Sequence, residues 1–194
     1  MTDIFSFLLL VGFIVIQRLF ELRIAKSNEK WMKQRGAVEF GEKHYRYMVM
    51  MHLFFFLILS CEKVFRNQGL SPFWGILIIL FLVAQLFRIW AITSLGRFWN
   101  TKIIVLRNAS VIRKGPYCFI KHPNYFVVAV ELAVVPLMFN AFLTAGLFTL
   151  LNIIMLMIRI PEEEKALKEL TEYEGSFKDC NRFLPNIVKK CDNF

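Results

Sequence analysis

Five stretches of the chain are almost wholly apolar, and polar segments rich in charge separate them. A helix needs roughly 20 apolar residues to cross a hydrocarbon core of about 30 Å, and these stretches approach that length. The predicted membrane spans are residues 4–20, 48–65, 72–92, 124–139 and 141–159. The pattern therefore predicts an all-α integral membrane protein with about five transmembrane helices.

The last two predicted spans come from one apolar run, residues 125–158. As a single helix this run would be about 51 Å long, far more than the core of a bilayer accommodates. We therefore expect two helices that are joined near Phe139, Asn140 and Ala141.

Three polar segments connect or follow these spans. Residues 21–47 predict a loop or an interfacial helix, and residues 96–123 predict an ordered loop. Residues 160–194 predict a C-terminal segment that is mostly a polar helix, broken near Gly175 and limited by Pro185.

Composition agrees with a membrane protein. Hydrophobic residues make up 57% of the 194 residues, and 21 residues are Phe, whereas an average soluble domain is about 45–50% apolar. The formal net charge is +9, but the basic residues are scattered around the apolar spans instead of forming a stripe with interleaved aromatics. This distribution argues against a nucleic-acid partner.

The basic residues also predict an orientation. Eight lie in residues 18–46, seven in residues 88–121 and seven in residues 159–190, and only Lys63 and Arg66 fall in the remaining polar loop. Cytoplasmic loops carry the excess of Lys and Arg in membrane proteins. We therefore expect an outer N-terminus, a cytoplasmic C-terminus and a cytoplasmic motif loop.

Two short motifs in the loop before the fourth span place aromatic and titratable groups together. Gly115-Pro116 predicts a turn before Tyr117, and Pro123 biases His122 away from helical geometry. Tyr117, His122 and Tyr125 are therefore expected to converge on one cytoplasmic pocket. The alternative is an interfacial belt of aromatics at the helix ends.

A charged motif follows the fifth span. Arg159 and Glu163 are four residues apart and share a face of a helix, while Glu162 and Glu164 point elsewhere. The functional interpretation is a ligand-binding group at the bilayer edge. The alternative is a snorkelling arginine with a surface ion pair.

Two polar residues lie inside predicted spans, where polar groups are costly and often functional. Glu131 lies about two turns into the fourth span, and Asn152 lies two turns before Arg159 on nearly the same face. The alternative is a hydrogen-bonded network that packs helices, including Gln85 or Arg88.

Metal binding is not predicted. Cys118 and His122 have the spacing of two ligands on one helix, but a proline follows immediately and no further ligands are apparent.

Three motifs, taken in order, resemble the isoprenylcysteine carboxyl methyltransferase family, whose pattern is approximately G-P-Y, R-H-P-x-Y and R-I-x-x-E-E-x-x-L. Here they are Gly115–Tyr117, Lys121–Tyr125 and Arg159–Leu167. Lys121 stands where the family has arginine, which keeps the charge but loses the planar fork needed for bidentate binding.

Two segments of the N-terminal half, Gln17–Glu21 and Asn28–Trp31, resemble the bacterial branch of this family that is encoded beside type III polyketide synthases and methylates alkylpyrones. That resemblance favours an alkylpyrone-like hydroxyl as methyl acceptor, with an isoprenylcysteine carboxylate next. The sequence leaves open an oxygen or a nitrogen acceptor and the oligomeric state.

The resemblance implies a single membrane methyltransferase domain over residues 1–194, located in a bacterial cell membrane. It implies S-adenosylmethionine in a cytoplasmic pocket and a lipophilic or lipidated substrate that enters from the membrane lipid. By motif match, the cofactor-binding residues are Gly115, Pro116, Tyr117, His122, Pro123, Tyr125, Glu163 and Glu164.

The catalytic candidates are Arg159, Asn152 and Glu131, and Trp99 with Asn100 is expected at the rim of the acceptor site. Arg159 is expected to anchor Glu163 or the carboxylate of the cofactor. An acidic acceptor needs little help from a base, whereas a phenol or an amine would require one, and Glu131 or His122 would then be the candidate.

Two other classes of protein remain open from the sequence. One is a sterol-type membrane reductase, which shares a related C-terminal architecture and uses a nicotinamide cofactor. The other is a non-enzymatic membrane binding protein in which Arg159, Glu163 and Glu131 only hold helices together.

Overall fold

The structure is a computed structural model that describes residues 2–67, 69–177 and 180–183. Six α-helices and two short strands occur in these residues. They are α1 (Thr2–Lys33), β1 (Val38–Phe40), α2 (Glu42–Arg66), α3 (Trp74–Leu95), β2 (Ile103–Val105), α4 (Pro123–Leu137), α5 (Phe142–Leu170) and α6 (Tyr173–Phe177). The predicted break near Gly175 falls within α6, while Pro185 lies outside the described residues.

Four of these helices, α1, α2, α3 and α5, are long and apolar enough to cross a membrane. The protein is therefore an integral membrane protein by the length and composition of its helices. The fourth predicted span corresponds to α4, which has only 15 residues and is about 22 Å long.

The first helix is much longer than the predicted span 4–20. Its polar half, residues 21–33, belongs to the segment for which the sequence predicts a loop or an interfacial helix. Hydropathy marks only the part of a helix that suits lipid, whereas Glu and Lys favour helix in water as well. The pair Glu29 and Lys33, joined at 2.7 Å, has the i, i+4 spacing that supports such a helix.

The fifth helix also continues beyond its predicted end at residue 159. It passes through Pro161, whose missing N–H leaves the Met157 carbonyl without its usual partner in the helix. The expected junction between α4 and α5 is confirmed, because Asn140 has a left-handed backbone with φ of 55°. The two helices thus turn back on each other.

Apolar side chains from α1 to α5 fill the core at the end of the bundle opposite the motif loop. Phe55 of α2 packs edge-to-face on Phe148 of α5, with ring centroids 5.3 Å apart. Nearby, Glu62 of α2 accepts hydrogen bonds from the backbone N–H groups of Leu143 and Thr144. This carboxylate satisfies donors that the first turn of α5 would otherwise leave unpaired.

The two strands join distant segments at the motif end of the bundle. β1 and β2 are antiparallel, with Val38 opposite Val105 and Phe40 opposite Ile103. The predicted ordered loop therefore contains a strand as well as two short 3-10 turns, at residues 96–98 and 115–118.

The three basic segments meet at this same end of the molecule. Lys102 in the motif loop binds Glu29 of α1 at 2.9 Å and Glu39 of β1 at 3.0 Å. His122 in the motif loop lies 3.1 Å from Glu164 of α5. A shared side for the basic segments is what the positive-inside pattern requires, although which side of a membrane this is stays a prediction.

Candidate active site

A cavity of about 490 Å³ lies where the motif loop meets α1, α2 and α5. The predicted site residues that line it are Tyr117, His122, Pro123, Tyr125, Asn152, Arg159 and Glu163, together with the predicted rim residues Trp99 and Asn100. The predicted residues that are not part of its wall are Gly115, Pro116, Glu131 and Glu164. Most of the predicted cluster is thus brought together in one place.

One helix supplies three of these side chains. Asn152, Arg159 and Glu163 follow each other at spacings of seven and four residues along α5, which places them on one face. Glu162 points elsewhere, as predicted, because its carboxylate lies 2.6 Å from Nδ1 of His44 on α2.

Tyr125 connects Arg159 to Glu163. The guanidinium Nε of Arg159 donates to the Tyr125 hydroxyl at 2.8 Å, and that hydroxyl donates to Oε2 of Glu163. Arg159 also donates to the carbonyl of Thr101, and its guanidinium lies 6.0 Å from the ring centre of Tyr45. Arg159 therefore holds Glu163 through Tyr125 and fixes the motif loop to α5.

Gly115 shapes the turn that directs Tyr117 into the cavity. Its φ is +58°, and a Cβ atom there would lie 2.1 Å from Oγ of Ser94 and 2.8 Å from Nε1 of Trp90. No other residue type fits this close approach. Gly115 thus acts on the site through the backbone.

Tyr117 is buried and accepts a hydrogen bond from Nδ2 of Asn124 at 2.9 Å. Burial, together with the negative charge of Glu163, raises the pKa of the Tyr117 phenol. The phenol therefore stays protonated and can donate a hydrogen bond to a ligand.

His122 is buried in the cavity wall, and its ring binds Glu164, a residue that lies outside the cavity. Its Nε2 atom lies 3.1 Å from Oε1 of Glu164, which also accepts from Arg182 Nε at 3.0 Å. The Lys121 N–H also donates to the Asn181 carbonyl at 3.0 Å, so the motif loop is joined to residues 181 and 182 through the backbone as well. Glu164 therefore positions His122 and does not face the cavity.

Glu131 belongs to a buried network that joins α1, α3 and α4. Gln85 donates to Oε1 of Glu131 at 2.6 Å, while Arg18 and Arg88 donate to Oε2. Arg88 also donates to Glu21 at 3.0 Å. This arrangement corresponds to the alternative of a helix-packing network, and it occupies both oxygens of Glu131.

Other buried polar atoms in the cavity wall have no hydrogen-bond partner among the described residues. They are Nε1 of Trp99, Nε of Arg88 and the hydroxyl of Tyr173. Asn152, a residue only 3% exposed, also lines the cavity, and no hydrogen bond of its amide occurs among the described residues. Burial, with the charges of Glu164 and Glu163, raises the pKa of Tyr173, so its hydroxyl keeps its proton. Unpaired buried donors are costly, and a bound ligand would satisfy them.

Several cavity residues escape the sequence motifs. Tyr45 and His52 come from α2, Lys102 from the motif loop and Tyr173 from α6. The sequence did offer a signal for His52. It is an ionisable residue inside a predicted membrane span, and such a residue is a functional candidate by default. Tyr173 carried no such signal.

Lys121, which stands in the place of the family arginine, also lines the cavity. Its ammonium lies 5.9 Å from the ring centre of Tyr173, within the range of a cation–π contact.

These features define a class of protein: a helical membrane protein with a partly polar, aromatic cavity at the end of its helices where the motif loop lies. The chain belongs to the isoprenylcysteine carboxyl methyltransferase (ICMT) family, whose model matches residues 77–169. The match runs from α3 to the end of α5 and so includes all three motifs. Membership in this family suggests methyltransferase activity with S-adenosylmethionine.

Two curated proteins are similar over most of their length. The uncharacterized protein YpbQ of Bacillus subtilis is 43% identical over 163 residues, which cover 84% of this chain and 97% of that protein. An uncharacterized protein of Haemophilus influenzae is 28% identical over 156 residues, or 79% of this chain and 90% of that protein. The similarity to both extends beyond the family match into the N-terminal half.

Proposed function

We propose that the protein is an S-adenosylmethionine-dependent membrane methyltransferase that acts on an oxygen of a lipophilic acceptor. The observation that carries this proposal is the continuous cavity, which is polar and aromatic at the motif end and apolar between the helices. A charged, water-soluble methyl donor suits the first part, and a lipid-dissolved acceptor suits the second.

The polar part offers the groups that the methyl donor requires. When bound, S-adenosylmethionine supplies an electrophilic methyl group on a sulfonium sulfur. We propose that the Glu163 carboxylate holds its ammonium group and that Arg159 or Lys121 holds its carboxylate. The rings of Tyr117, Tyr125 and Tyr173 offer faces for the sulfonium cation and the adenine; His122 and Pro123 support this wall, and Gly115 and Pro116 shape it.

The unpaired donors of Trp99 and Tyr173 test whether the cavity suits S-adenosylmethionine. Buried donors without partners favour a ligand with several acceptor atoms, such as the carboxylate, ribose and adenine nitrogens of the methyl donor. Glu164 supports the site through His122 in this proposal and makes no direct contact with the cofactor.

The apolar part of the cavity opens between α1 and α2. Leu19 and Leu22 of α1 and Val49 and Leu53 of α2 line it while also being exposed on the outer surface, with 57% exposure for Leu19 and 66% for Leu53. In a membrane these side chains would contact acyl chains. We propose that the acceptor enters there from the lipid.

An alkylpyrone-like hydroxyl is the favoured acceptor, followed by an isoprenylcysteine carboxylate. The preference rests on the resemblance of Gln17–Glu21 and Asn28–Trp31 to the alkylpyrone branch. Asn28 in the second of these segments donates to the carbonyl of Trp99 at 2.8 Å, so the segment supports the rim of the cavity.

Catalysis in this proposal is mainly alignment of the acceptor oxygen with the methyl group inside a site that excludes water. The free amide of Asn152 can bind an oxygen of the acceptor. Arg159 positions the wall through Tyr125 and Thr101, and Glu131 acts at a distance by holding Arg18 next to the cavity. The site and the C-terminal segment would face the cytoplasm of a bacterial cell.

The proposal is tested by calorimetry of detergent-purified protein with S-adenosylhomocysteine. Glu163→Gln removes the carboxylate proposed to bind the ammonium group, and Tyr125→Phe breaks the connection to Arg159. We expect each change to weaken binding at least about tenfold, the effect of losing one charge-assisted bond. Glu162→Gln is the matched control, because that carboxylate pairs with His44 outside the cavity.

Wild-type protein that fails to bind S-adenosylhomocysteine, or that binds a nicotinamide cofactor instead, would refute the proposal. Equal binding by both variants and the wild type would refute the assignment of the site. Extraction of lipids after expression with a labelled methyl donor then identifies the acceptor. A labelled prenyl peptide would overturn the alkylpyrone preference, and a labelled amine would overturn the oxygen acceptor.

A further inference from the structure

We propose that His52 is the general base that removes the proton from the acceptor hydroxyl during methyl transfer. This inference rests on the proposed function, since it assigns a chemical role within the same cavity. His52 lies on α2, outside all three family motifs and outside residues 77–169.

The hydrogen bond of the ring fixes its tautomer. Nδ1 of His52 lies 2.8 Å from the backbone carbonyl of Met48. A carbonyl oxygen only accepts, so Nδ1 carries the proton and Nε2 of the neutral ring carries a lone pair. Nε2 has no hydrogen-bond partner in the described part of the chain, and the ring lines the cavity. A base with an oriented, free lone pair is thus exposed to the bound acceptor.

Two observed contacts between α2 and α5 bracket the position of His52. At one level, Phe55 packs against Phe148, with centroids 5.3 Å apart. At the other level, the Tyr45 ring lies 6.0 Å from the guanidinium carbon of Arg159. The helices are antiparallel, so His52 lies between these levels on the face that α2 presents to α5.

Asn152 occupies the corresponding level on α5. His52 is three residues from Phe55, and Asn152 is four residues from Phe148, which corresponds to about 4.5 and 6 Å along the two helix axes. Likewise, His52 is seven residues from Tyr45, and Asn152 is seven residues from Arg159. The free imidazole nitrogen and the free amide therefore lie at a similar depth in one cavity, below Tyr45 and Arg159.

The sequence suggests Glu131 or His122 as the base. Both oxygens of Glu131 accept hydrogen bonds from Gln85 and two arginines, so Glu131 is engaged. His122 is bound to Glu164 through Nε2, and its ring packs on Tyr125 with centroids 5.4 Å apart. His52 takes the role of the base because its free nitrogen lies at the level of the Asn152 amide.

An acceptor that comes from the lipid is expected to enter with its proton. Transfer of an ionised oxygen into an apolar environment is far more costly than transfer of the neutral hydroxyl. Even an acidic enol would therefore reach the apolar part of the cavity as the neutral form. A base inside the cavity then has a role that bulk water cannot fill.

The reaction balances with His52 as the proton acceptor. The O–H bond of the acceptor breaks as the new O–CH₃ bond forms, and the proton passes to Nε2 of His52. The electron pair of the broken S–CH₃ bond stays on sulfur, which leaves as a neutral thioether. The single positive charge moves from the sulfonium to the imidazolium, and the proton is released to water after product departure.

The charged groups that line the same cavity as His52 come from several elements. They are Arg18 and Glu21 on α1, Arg88 on α3, Lys102 in the motif loop, and Arg159 and Glu163 on α5.

The first experiment measures the tautomer without any turnover. Protein labelled with ¹⁵N in histidine is examined by NMR, and His52 is assigned by comparison with His44→Gln and His122→Gln. We expect the chemical shifts of a neutral ring with the proton on Nδ1. A neutral ring with the proton on Nε2 would overturn the proposal, because the lone pair would then face the Met48 carbonyl.

The second experiment measures methyl transfer to an alkyl-substituted 4-hydroxy-2-pyrone. His52→Gln and His52→Ala should lower the single-turnover rate about 10²-fold or more, the usual contribution of a general base. Both variants should bind S-adenosylhomocysteine with wild-type affinity. His44→Gln, on the same helix but outside the cavity wall, should keep the wild-type rate.

Added imidazole supplies a readout that a merely structural role would not change. We expect it to restore the rate of His52→Ala about tenfold, and the restored rate should rise with pH as the neutral form of imidazole increases. Wild-type rates in the variants, or loss of S-adenosylhomocysteine binding by them, would overturn the assignment. Absence of binding and methyl transfer in the wild type would instead refute the proposed function.

Discussion

Two clusters of charged and polar residues lie among the apolar helices, and they differ in how completely their carboxylate and amide groups are paired. In the network around Glu131, both oxygens of that carboxylate accept hydrogen bonds from Gln85, Arg18 and Arg88. In the cavity, the Asn152 amide and Nε2 of His52 have no partner among the described residues. The sequence marks Glu131 and Asn152 as functional candidates, with a helix-packing network as the alternative. In the structure the Glu131 carboxylate is fully paired, whereas the Asn152 amide is free for a ligand.

The comparison separates stabilising groups from binding groups. A buried charge with all its partners present contributes a fixed contact between helices, and its loss leaves other charges unpaired. A buried polar group without a partner destabilises the ligand-free protein, so its presence suggests a compensating contact in the bound state. Substitutions in the two clusters should therefore change stability in opposite directions.

The largest effect is expected from Glu131→Ala. This change leaves the buried guanidinium of Arg88 and the partly buried guanidinium of Arg18 without one of their two carboxylates. Removal of one member of a buried ion pair costs about 3–5 kcal/mol, and we expect a loss of that size in the free energy of unfolding. Chemical denaturation in detergent measures it.

Glu162→Ala is the control for this prediction. The Glu162 and His44 side chains are partly exposed, with 30% and 38% exposure, so their pairing should contribute less than about 1 kcal/mol. Equal losses in the two variants would mean that the Glu131 network does not hold the helices together.

Asn152→Leu is expected to have an intermediate effect on the free energy of unfolding, opposite in sign to that of Glu131→Ala. Leucine replaces an unpaired buried amide by an apolar group of similar size, so the free energy of unfolding should be unchanged or higher by about 1–2 kcal/mol. Methyl transfer should fall at least about tenfold, because a positioned hydrogen bond to the acceptor is lost. Thermal unfolding and a single-turnover assay on the same preparation measure both quantities.

Gln85→Leu is the matched variant in the paired network. It removes the hydrogen bond to one oxygen of Glu131 and one of the two hydrogen bonds that the Gln17 amide donates, so it should destabilise the protein. If Gln85→Leu were as stable as Asn152→Leu, the distinction between paired and unpaired groups would fail.

The smallest effect is expected from Glu39→Gln in β1. Burial alone would raise the pKa of Glu39, but hydrogen bonds from Lys33 and Lys102 outweigh it and lower the pKa. The carboxylate therefore stabilises the fold above the ordinary pKa of a glutamate, and this contribution is lost as the pH falls through the lowered value. At neutral pH we expect a loss of less than about 1 kcal/mol.

Melting temperatures of the wild type and Glu39→Gln measured across the acid range test this sign. The difference between them should shrink as the pH falls, because the wild-type carboxylate becomes protonated. A difference that stays constant at all pH values would contradict the pKa shift.

The sequence predicts the elements whose local chemistry is unambiguous. The apolar run over residues 125–158 is too long for one helix, and the structure turns at Asn140 as that length requires. The i, i+4 spacing of Arg159 and Glu163 predicts their shared face, and both line the cavity. The sequence also names Gln85 and Arg88 as partners of Glu131, although as an alternative to catalysis.

Other features depend on contacts that no local pattern encodes. Residues 21–33 are helical because charged residues pair along a helix in water, which hydropathy does not detect. β2 forms because β1 pairs with it from more than 60 residues away, as the Val38 to Val105 register shows. The position of His52 follows only from the register between α2 and α5.

The contact between His122, Glu164 and Arg182 has a consequence for biogenesis. Ribosomes deliver the chain from its N-terminus, and α1, α2 and α3 enter the membrane while later residues are still untranslated. Because the clamp on the motif loop includes Arg182, the loop reaches its final arrangement only after that residue has left the ribosome exit tunnel. The part of the cavity wall that His122 forms is therefore completed only after the membrane helices have been synthesised.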